Sequence, residues 1–146
     1  MTGFQATGGC QCGAVRYRIA GEIQDPHLCH CRMCQKAAGN YFMALLGVAE
    51  TDIEITGEPG WFASSEIARR GFCARCGTPL FYSGVDSEYV AVTLGSLDDP
   101  AAVPPVSAYG GEAKVPFFEH LHELTTEETK PEDTASESRQ HPDERP

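Results

Sequence analysis

Alternation of apolar and polar residues is the clearest pattern in the chain, and it predicts strands. Within residues 13–21, Val15, Tyr17 and Ile19 alternate with Ala or Arg between flanking glycines, which is the period of a half-buried strand. Residues 41–48 form a continuous apolar run, typical of a strand buried on both faces. Further strands are predicted at residues 52–56, 71–81 and 89–94, between clusters of Pro, Gly, Asp and Ser. The chain is therefore predicted to be mainly β.

Helical periodicity is weak by comparison. Residues 32–38 are predicted to form one short helical turn, ended by Gly39 and Asn40. The last segment, residues 125–146, has no aromatic residue, a single aliphatic residue (Ala135), seven acids and three bases. Such a segment buries too little apolar area to offset its ordering entropy. We expect one folded domain over residues 1–124 and a disordered acidic tail over 125–146; an acidic interaction arm is the alternative for the tail.

Net charge and the distribution of apolar residues argue against several classes of function. The chain of 146 residues has a formal net charge of -10, which argues against a nucleic-acid-binding protein because that affinity comes mainly from Lys and Arg. No run approaches the roughly 20 apolar residues of a membrane span. The first residues lack the basic and apolar regions of a signal peptide. We expect a cytoplasmic protein without nucleic-acid or membrane partners, whose seven cysteines stay reduced.

The seven cysteines fall into three tight groups, which favours metal binding. Cys10 and Cys12 form C-x-C, and Cys73 and Cys76 form C-x-x-C followed by Gly77. A tight turn or an extended segment each presents two sulfurs on one side, and a glycine after the second Cys permits positive φ. We predict that these four cysteines form one closed structural zinc site, which joins the N-terminal strand to the 71–81 hairpin.

The middle group differs because it has three cysteines, Cys29, Cys31 and Cys34, within six residues. Three protein ligands with one open position are typical of a catalytic zinc site. Alternatives remain open at this point. They are a redox C-x-x-C pair, either Cys31 with Cys34 or Cys73 with Cys76, a second site closed by His27 or His30, and iron in place of zinc. In an extended segment, His27 shares a face with Cys29 and Cys31, whereas His30 points away.

Four segments of the chain together resemble a known family. They read GGCQCGAVRY, HCRMCQKAAG, RRGFCARCGTPLF and LGSLDDP, and they are similar to the glutathione-dependent formaldehyde-activating enzyme family, a relative of centromere protein V. The resemblance implies a small zinc-bound fold described as β-tent-like. It implies a structural zinc at Cys10, Cys12, Cys73 and Cys76, and a second zinc with an exchangeable position at Cys29, Cys31 and Cys34. The implied activity is carbon–sulfur lyase chemistry that joins glutathione to formaldehyde.

Two positions depart from the family pattern, with Ala108 near a usual His and Phe117 where a Trp usually follows Pro116. We therefore expect an enzyme that acts on a small thiol, glutathione or a similar molecule, and its aldehyde adduct, with Cys29, Cys31 and Cys34 as catalytic residues. Arg32, Lys36 and Arg70 are candidates for pairing with ligand carboxylates. The alternative function is a zinc-stabilised binding module without turnover.

Overall fold

The structure is a computed structural model, and it describes residues 3–144. Ten strands and one α-helix make up most of the regular structure. They are, in chain order, β1 (Phe4–Gly9), β2 (Arg16–Gly21), β3 (Ile23–Cys29), α1 (Arg32–Ala38), β4 (Met43–Ala49), β5 (Ile53–Thr56), β6 (Gly60–Ala63), β7 (Ala68–Phe72), β8 (Pro79–Gly84), β9 (Tyr89–Thr93) and β10 (Ser107–Tyr109). Short 3-10 segments fill several connections. The predicted mainly-β class is confirmed.

The strands form two sheets. A three-stranded sheet has the order β1-β2-β5, and a seven-stranded sheet has the order β10-β3-β4-β9-β8-β7-β6. Neighbouring strands are antiparallel except β10, which lies parallel to β3. An isolated bridge between Gly8 of β1 and Leu97 ties the three-stranded sheet to the segment after β9.

The main core lies where apolar residues of both sheets meet. Val15, Tyr17 and Ile19 are all at most 3% exposed, so the alternating pattern is confirmed. They belong to one cluster with residues of the larger sheet, among them Leu46 and Val48 of β4. On the other face of β4, Met43 and Leu45 belong to a second cluster, together with Cys29 and Cys34. This division explains the continuous apolar run, because β4 buries both of its faces.

Residues 71–81, predicted both as a strand and as a hairpin, form a hairpin of two antiparallel strands rather than one continuous strand. Residues 73–78 form a turn between β7 and β8, in which the Gly77 N–H donates to the Cys73 carbonyl oxygen (2.8 Å) and the Cys73 N–H donates to the Thr78 carbonyl oxygen (3.0 Å). The strand predicted at 13–21 starts only at Arg16, because residues 10–15 also turn. Each shortened strand leaves a pair of cysteines in a loop.

Four strands have no counterpart among the predictions: β1, β3, β6 and β10. β3 is irregular, since it carries Pro26, a register shift between Gln24 and His27, and Asp25 at a φ of 43°. β6 and β10 are short edge strands, four and three residues long. Such strands give no periodic pattern and depend on their pairing partner.

The acidic segment after residue 124 is mostly exposed, with one 3-10 turn at Pro131–Thr134. Its end contacts the body: the His141 N–H donates to the Gln11 carbonyl oxygen (2.7 Å), and the Glu144 carboxylate lies 3.4 Å from Arg16. Disorder of this tail and the boundary at residue 124 stay predictions. Among the residues that the structure describes, no helix is long and apolar enough to cross a membrane.

A partly buried ion pair fixes the start of β2 to the segment after β9. Arg16 donates to both oxygens of Asp98 at 3.0 and 2.5 Å, and the Thr7 hydroxyl donates to the same carboxylate at 2.7 Å. Burial raises the pKa of Asp98, but these hydrogen bonds and the Arg16 charge outweigh it and hold the pKa below its ordinary value. The folded state therefore favours the ionised carboxylate.

This ion pair predicts a loss of stability in acid. Because the folded pKa of Asp98 is depressed, its contribution is fully present above the unfolded pKa of about 3.9 and is lost as pH falls through the lower folded value. We expect Asp98→Asn to lower the free energy of unfolding by about 2 kcal/mol at neutral pH, a value typical of hydrogen bonds to a charged group. Urea unfolding of both proteins at a series of pH values measures it. A difference between them that stays constant below about pH 4 contradicts the assignment.

Candidate metal centres

The first cysteine group joins two turns that are distant in sequence. Cys10 and Cys12 lie in the turn after β1, and Cys73 and Cys76 lie in the turn between β7 and β8. The Sγ atoms of Cys10 and Cys12 are 3.6 Å apart, those of Cys12 and Cys73 are 3.8 Å apart, and all four lie within 4.8 Å of one another. A tetrahedral zinc with Zn–S bonds of about 2.3 Å requires S–S separations of about 3.8 Å. The four sulfurs therefore fit a zinc ion.

Local hydrogen bonds favour the thiolate form of Cys76, whereas at Cys12 a backbone hydrogen bond is outweighed by burial and the neighbouring thiols, which raise the pKa to about 11. The Val15 N–H donates to Cys10 Sγ at 3.3 Å, and the Thr78 hydroxyl lies 3.3 Å from Cys76 Sγ. Burial raises the pKa of Cys76, but the hydroxyl and backbone N–H of Thr78, with further bonds from Cys12 and Cys73, lower it to about 6. A thiol that ionises below neutral pH is suited to bind a cation.

Gly77 gives the β7–β8 turn a conformation that other residues rarely adopt, with a φ of 83°. No atom lies within 4 Å of the place where a Cβ would sit, so substitution there tests backbone strain alone. We expect Gly77→Ala to lower the free energy of unfolding by about 1–2 kcal/mol. Gly95→Ala is the matched control, because Gly95 also has open space and does not have a positive φ. Equal denaturation midpoints for the two variants would refute this expectation.

The second group is assembled by the end of β3 and the start of α1. Cys29 is the last residue of β3, and Cys31 is the N-cap of α1, where its Sγ accepts from the Cys34 N–H at 3.4 Å. The Sγ atoms of Cys29 and Cys31 are 3.4 Å apart, and all three sulfurs lie within 4.8 Å of one another. Burial raises the pKa of Cys31, but the Cys34 N–H and the neighbouring thiols outweigh it and lower that pKa.

No fourth protein ligand joins these three sulfurs within residues 3–144. Neither a histidine nor a carboxylate is close enough to complete the group. His27 lies with its Nδ1 2.7 Å from the Asp25 carbonyl oxygen. His30 is fully buried and packs edge-on against Phe118, with ring centroids 4.6 Å apart, and neither ring nitrogen has a hydrogen-bond partner among the described atoms. The arrangement thus gives no support to a site closed by either histidine.

Of the three candidate cations, only Arg70 reaches this group. Arg32 donates to the Gln35 side-chain oxygen at 2.5 Å, and Lys36 is exposed. Arg70 is only 9% exposed, and its Nη2 lies 3.4 Å from Cys34 Sγ. The approach depends on how β7 lies relative to α1, which no sequence motif encodes.

Two further residues help to position the second cysteine group, and nothing in the sequence points to either. Gln35 is buried, and its side-chain amide donates to the carbonyl oxygens of His30 (2.8 Å) and Ala113 (3.0 Å), so it fixes α1 against the chain on either side. Met43 packs against Cys29 and Cys34. In the sequence, Gln35 and Met43 are ordinary helix and strand residues. Only the tertiary structure shows that they lie beside the sulfurs.

A cavity of about 350 Å³ lies beside Arg70 and Met43, two side chains that pack against Cys34, although none of the three cysteines lines it. Its wall is largely apolar, with Ala37 from α1, Met43 from β4 and Phe62 from β6, while Arg70 supplies a charged group. Gly77, directly after Cys76, also lines it. Small-molecule sites are typically concave, mostly apolar and about 300–1,000 Å³ in volume, with a few placed polar groups. The cavity has these properties.

Several known proteins are similar to this chain. A Halomonas elongata protein named “Putative glutathione-dependent formaldehyde-activating enzyme” is 32% identical over 108 residues, which cover 67% of this chain and 69% of that protein. A Schizosaccharomyces pombe protein named as an uncharacterized lyase is 33% identical over 78 residues, or 52% of this chain. That match spans only 56% of the yeast protein's length.

A crystal structure of a Rhodobacter sphaeroides protein has a similar fold, with a TM-score of 0.54 and 19% identity over 70% of this chain and 98% of that one. Residues 5–111 match the family described as “Glutathione-dependent formaldehyde-activating enzyme”. This match covers well over half of the chain and includes all seven cysteines of the two groups. The chain therefore belongs to the glutathione-dependent formaldehyde-activating enzyme family.

Proposed function

We propose that this protein is a zinc-dependent enzyme of the carbon–sulfur lyase type, which joins a glutathione-like thiol to an aldehyde such as formaldehyde. The observation that carries the proposal is the contrast between the two cysteine groups. One has four sulfurs at tetrahedral separations, and the other has three with no fourth ligand among the described residues. Family membership and the relatives' names support an enzyme with this chemistry. We also propose a cytoplasmic location, in keeping with seven free thiols.

The two groups have separate roles in this proposal. Cys10, Cys12, Cys73 and Cys76 hold a structural zinc within a β-tent-like fold. Cys29, Cys31 and Cys34 hold a second zinc and leave one position for the substrate's sulfur. When bound there, zinc supplies a positive centre that favours the thiolate form of a coordinating thiol. Three thiolate ligands and a divalent ion leave a net charge of about -1, so this donor set suits thiolate chemistry better than water activation.

The reaction needs no oxidant or reductant. In the adduct-forming direction, the substrate sulfur forms a bond to the carbonyl carbon, the π-electron pair moves to the carbonyl oxygen, and the proton lost by the thiol ends on that oxygen. The chain contributes binding and orientation. Cys29 and Cys34 are each at most 5% exposed, and the cavity beside Arg70 and Met43 has space for the body of a small thiol. Its apolar wall excludes water from part of the substrate.

Metal content and turnover, measured on one preparation, test the proposal. Protein purified without chelator is expected to contain two zinc ions per chain. With glutathione and isotopically labelled formaldehyde, exchange between free and adduct signals in NMR spectra should exceed the spontaneous rate. One tightly held zinc and no rate effect, also with other thiols and aldehydes, would contradict the proposal and leave a zinc-stabilised binding module as the function.

A further inference from the structure

Arg70 is a buried cation that forms no ion pair with a carboxylate among the described residues. It lies in β7 and is only 9% exposed. Its Nε donates to the Ser64 hydroxyl oxygen at 3.0 Å, and its Nη1 lies 3.5 Å from Met43 Sδ. The guanidinium carbon lies 4.9 Å from the centroid of the Tyr82 ring. All of these partners are formally neutral.

A buried guanidinium requires compensation for the water it has lost. Arg is almost never buried unless it is paired, because an isolated charge in a low-dielectric interior costs several kcal/mol or more. A neutral hydroxyl, a thioether and an aromatic face compensate only in part. The remaining contact is with Cys34, whose Sγ lies 3.4 Å from Nη2. Cys34 is therefore the place where a negative charge would complete the pairing.

The charge of the second cysteine group matches this requirement. With three thiolates and one divalent ion, that group carries about -1, and Arg70 carries +1. The four-cysteine group, by comparison, lies in other turns of the fold and has no arginine among its hydrogen-bond partners in the described structure. The second group is thus the one that gains a buried counter-ion.

We propose that Arg70 is the internal counter-ion of the Cys29, Cys31 and Cys34 group, and that it holds the Cys34 sulfur in place for a zinc ion. The inference rests on the second zinc site of the proposed function. Arg70 acts through Cys34 and is a positioning residue. The same side chain lines the cavity, so it contacts both the Cys34 sulfur and the space that a substrate would occupy.

Zinc affinity of the second site tests this role independently of turnover. In competition with a chromophoric chelator, Arg70→Met is expected to bind the second zinc about 10–100-fold more weakly, as is typical when an outer partner of a metal ligand is lost. Arg70→Lys keeps the charge but not the planar fork, so we expect partial rescue. Affinity of the first site should not change, and its retained zinc also shows that each variant is folded.

Arg69→Met is the matched control, because Arg69 neighbours Arg70 but is exposed and lies over the Trp61 ring, 4.1 Å from its centroid. It is expected to bind both zinc ions as the wild type does. Equal second-site affinity in wild type, Arg70→Met and Arg70→Lys would overturn the inference and leave the proposed function intact. A wild-type protein that binds only one zinc would instead remove the proposed function. If Arg70→Met does not fold, the test rests on Arg70→Lys alone. A second-site zinc affinity of Arg70→Lys equal to that of the wild type would then overturn the role of the planar guanidinium.

Discussion

Cys76→Ser is expected to leave the chain unfolded or aggregated at 25 °C. The four-cysteine group is part of the main core, since Cys10 and Cys73 are buried in it and Cys12 and Cys76 pack against it. It joins residues more than sixty positions apart, so losing it frees the start of β2 from the β7–β8 turn. Structural zinc contributes about 10–16 kcal/mol in small zinc domains, which equals or exceeds the usual total stability of about 5–15 kcal/mol.

Circular dichroism and thermal unfolding measure this effect. The wild-type protein treated with excess chelator should also unfold and give a spectrum like that of the Cys76→Ser variant, because both lack the zinc of the four-cysteine group. The identical substitution at Cys31 is the matched control, since Cys31 packs only against the smaller cluster at the end of β3. A Cys76→Ser protein with an unchanged melting curve would show that the first group is not a structural metal site.

Cys31→Ser is expected to remove the activity while the body of the protein stays folded. Cys31 contributes one of three sulfurs to the second group, and its Sγ also caps α1 by accepting from the Cys34 N–H. Serine keeps a helix-capping oxygen, so α1 should persist. Its hydroxyl is a poor zinc ligand at neutral pH, because metal ligands must be deprotonated.

The size of this loss follows from the ligand's direct role. Mutation of a residue that hydrogen-bonds to a metal ligand typically lowers metal affinity or activity by about 10–100-fold. Loss of a ligand itself should therefore lower the enzymatic rate by about 100-fold or more, to near the spontaneous rate. The NMR exchange assay measures it, with zinc content as a parallel readout. We expect one zinc per chain and an unchanged near-ultraviolet spectrum. Full activity in Cys31→Ser would rule out the second group as the reaction site.

The sequence predicted the mainly-β class and the grouping of the cysteines because both are local patterns. Val15, Tyr17 and Ile19 have the period of a strand, and their burial follows directly from it. Cys29, Cys31 and Cys34 come together through the end of one strand and the first turn of one helix. The association of Cys10 and Cys12 with Cys73 and Cys76 was also predicted, because each pair supplies two ligands and neither completes a tetrahedron alone.

Features that depend on tertiary contacts were not predicted. The strands β6 and β10 exist because a neighbouring strand offers hydrogen-bond partners, and their own residues show no alternation of buried positions. The contact between Arg70 and Cys34 joins residues 36 positions apart, and it depends on the packing of the β7 face. The tail's contacts with Gln11 and Arg16 could not be predicted from composition. Composition indicated only that the segment has too few apolar residues to form a core.

Anomalous diffraction at the zinc edge, from crystals of the protein grown with glutathione, tests the two-site arrangement most directly. We predict two zinc peaks per chain. One should lie among the sulfurs of Cys10, Cys12, Cys73 and Cys76, and the other among those of Cys29, Cys31 and Cys34 with the glutathione sulfur as fourth neighbour. A single peak at the first group, or a second peak closed by His27 or His30, would contradict an open site for a substrate thiol.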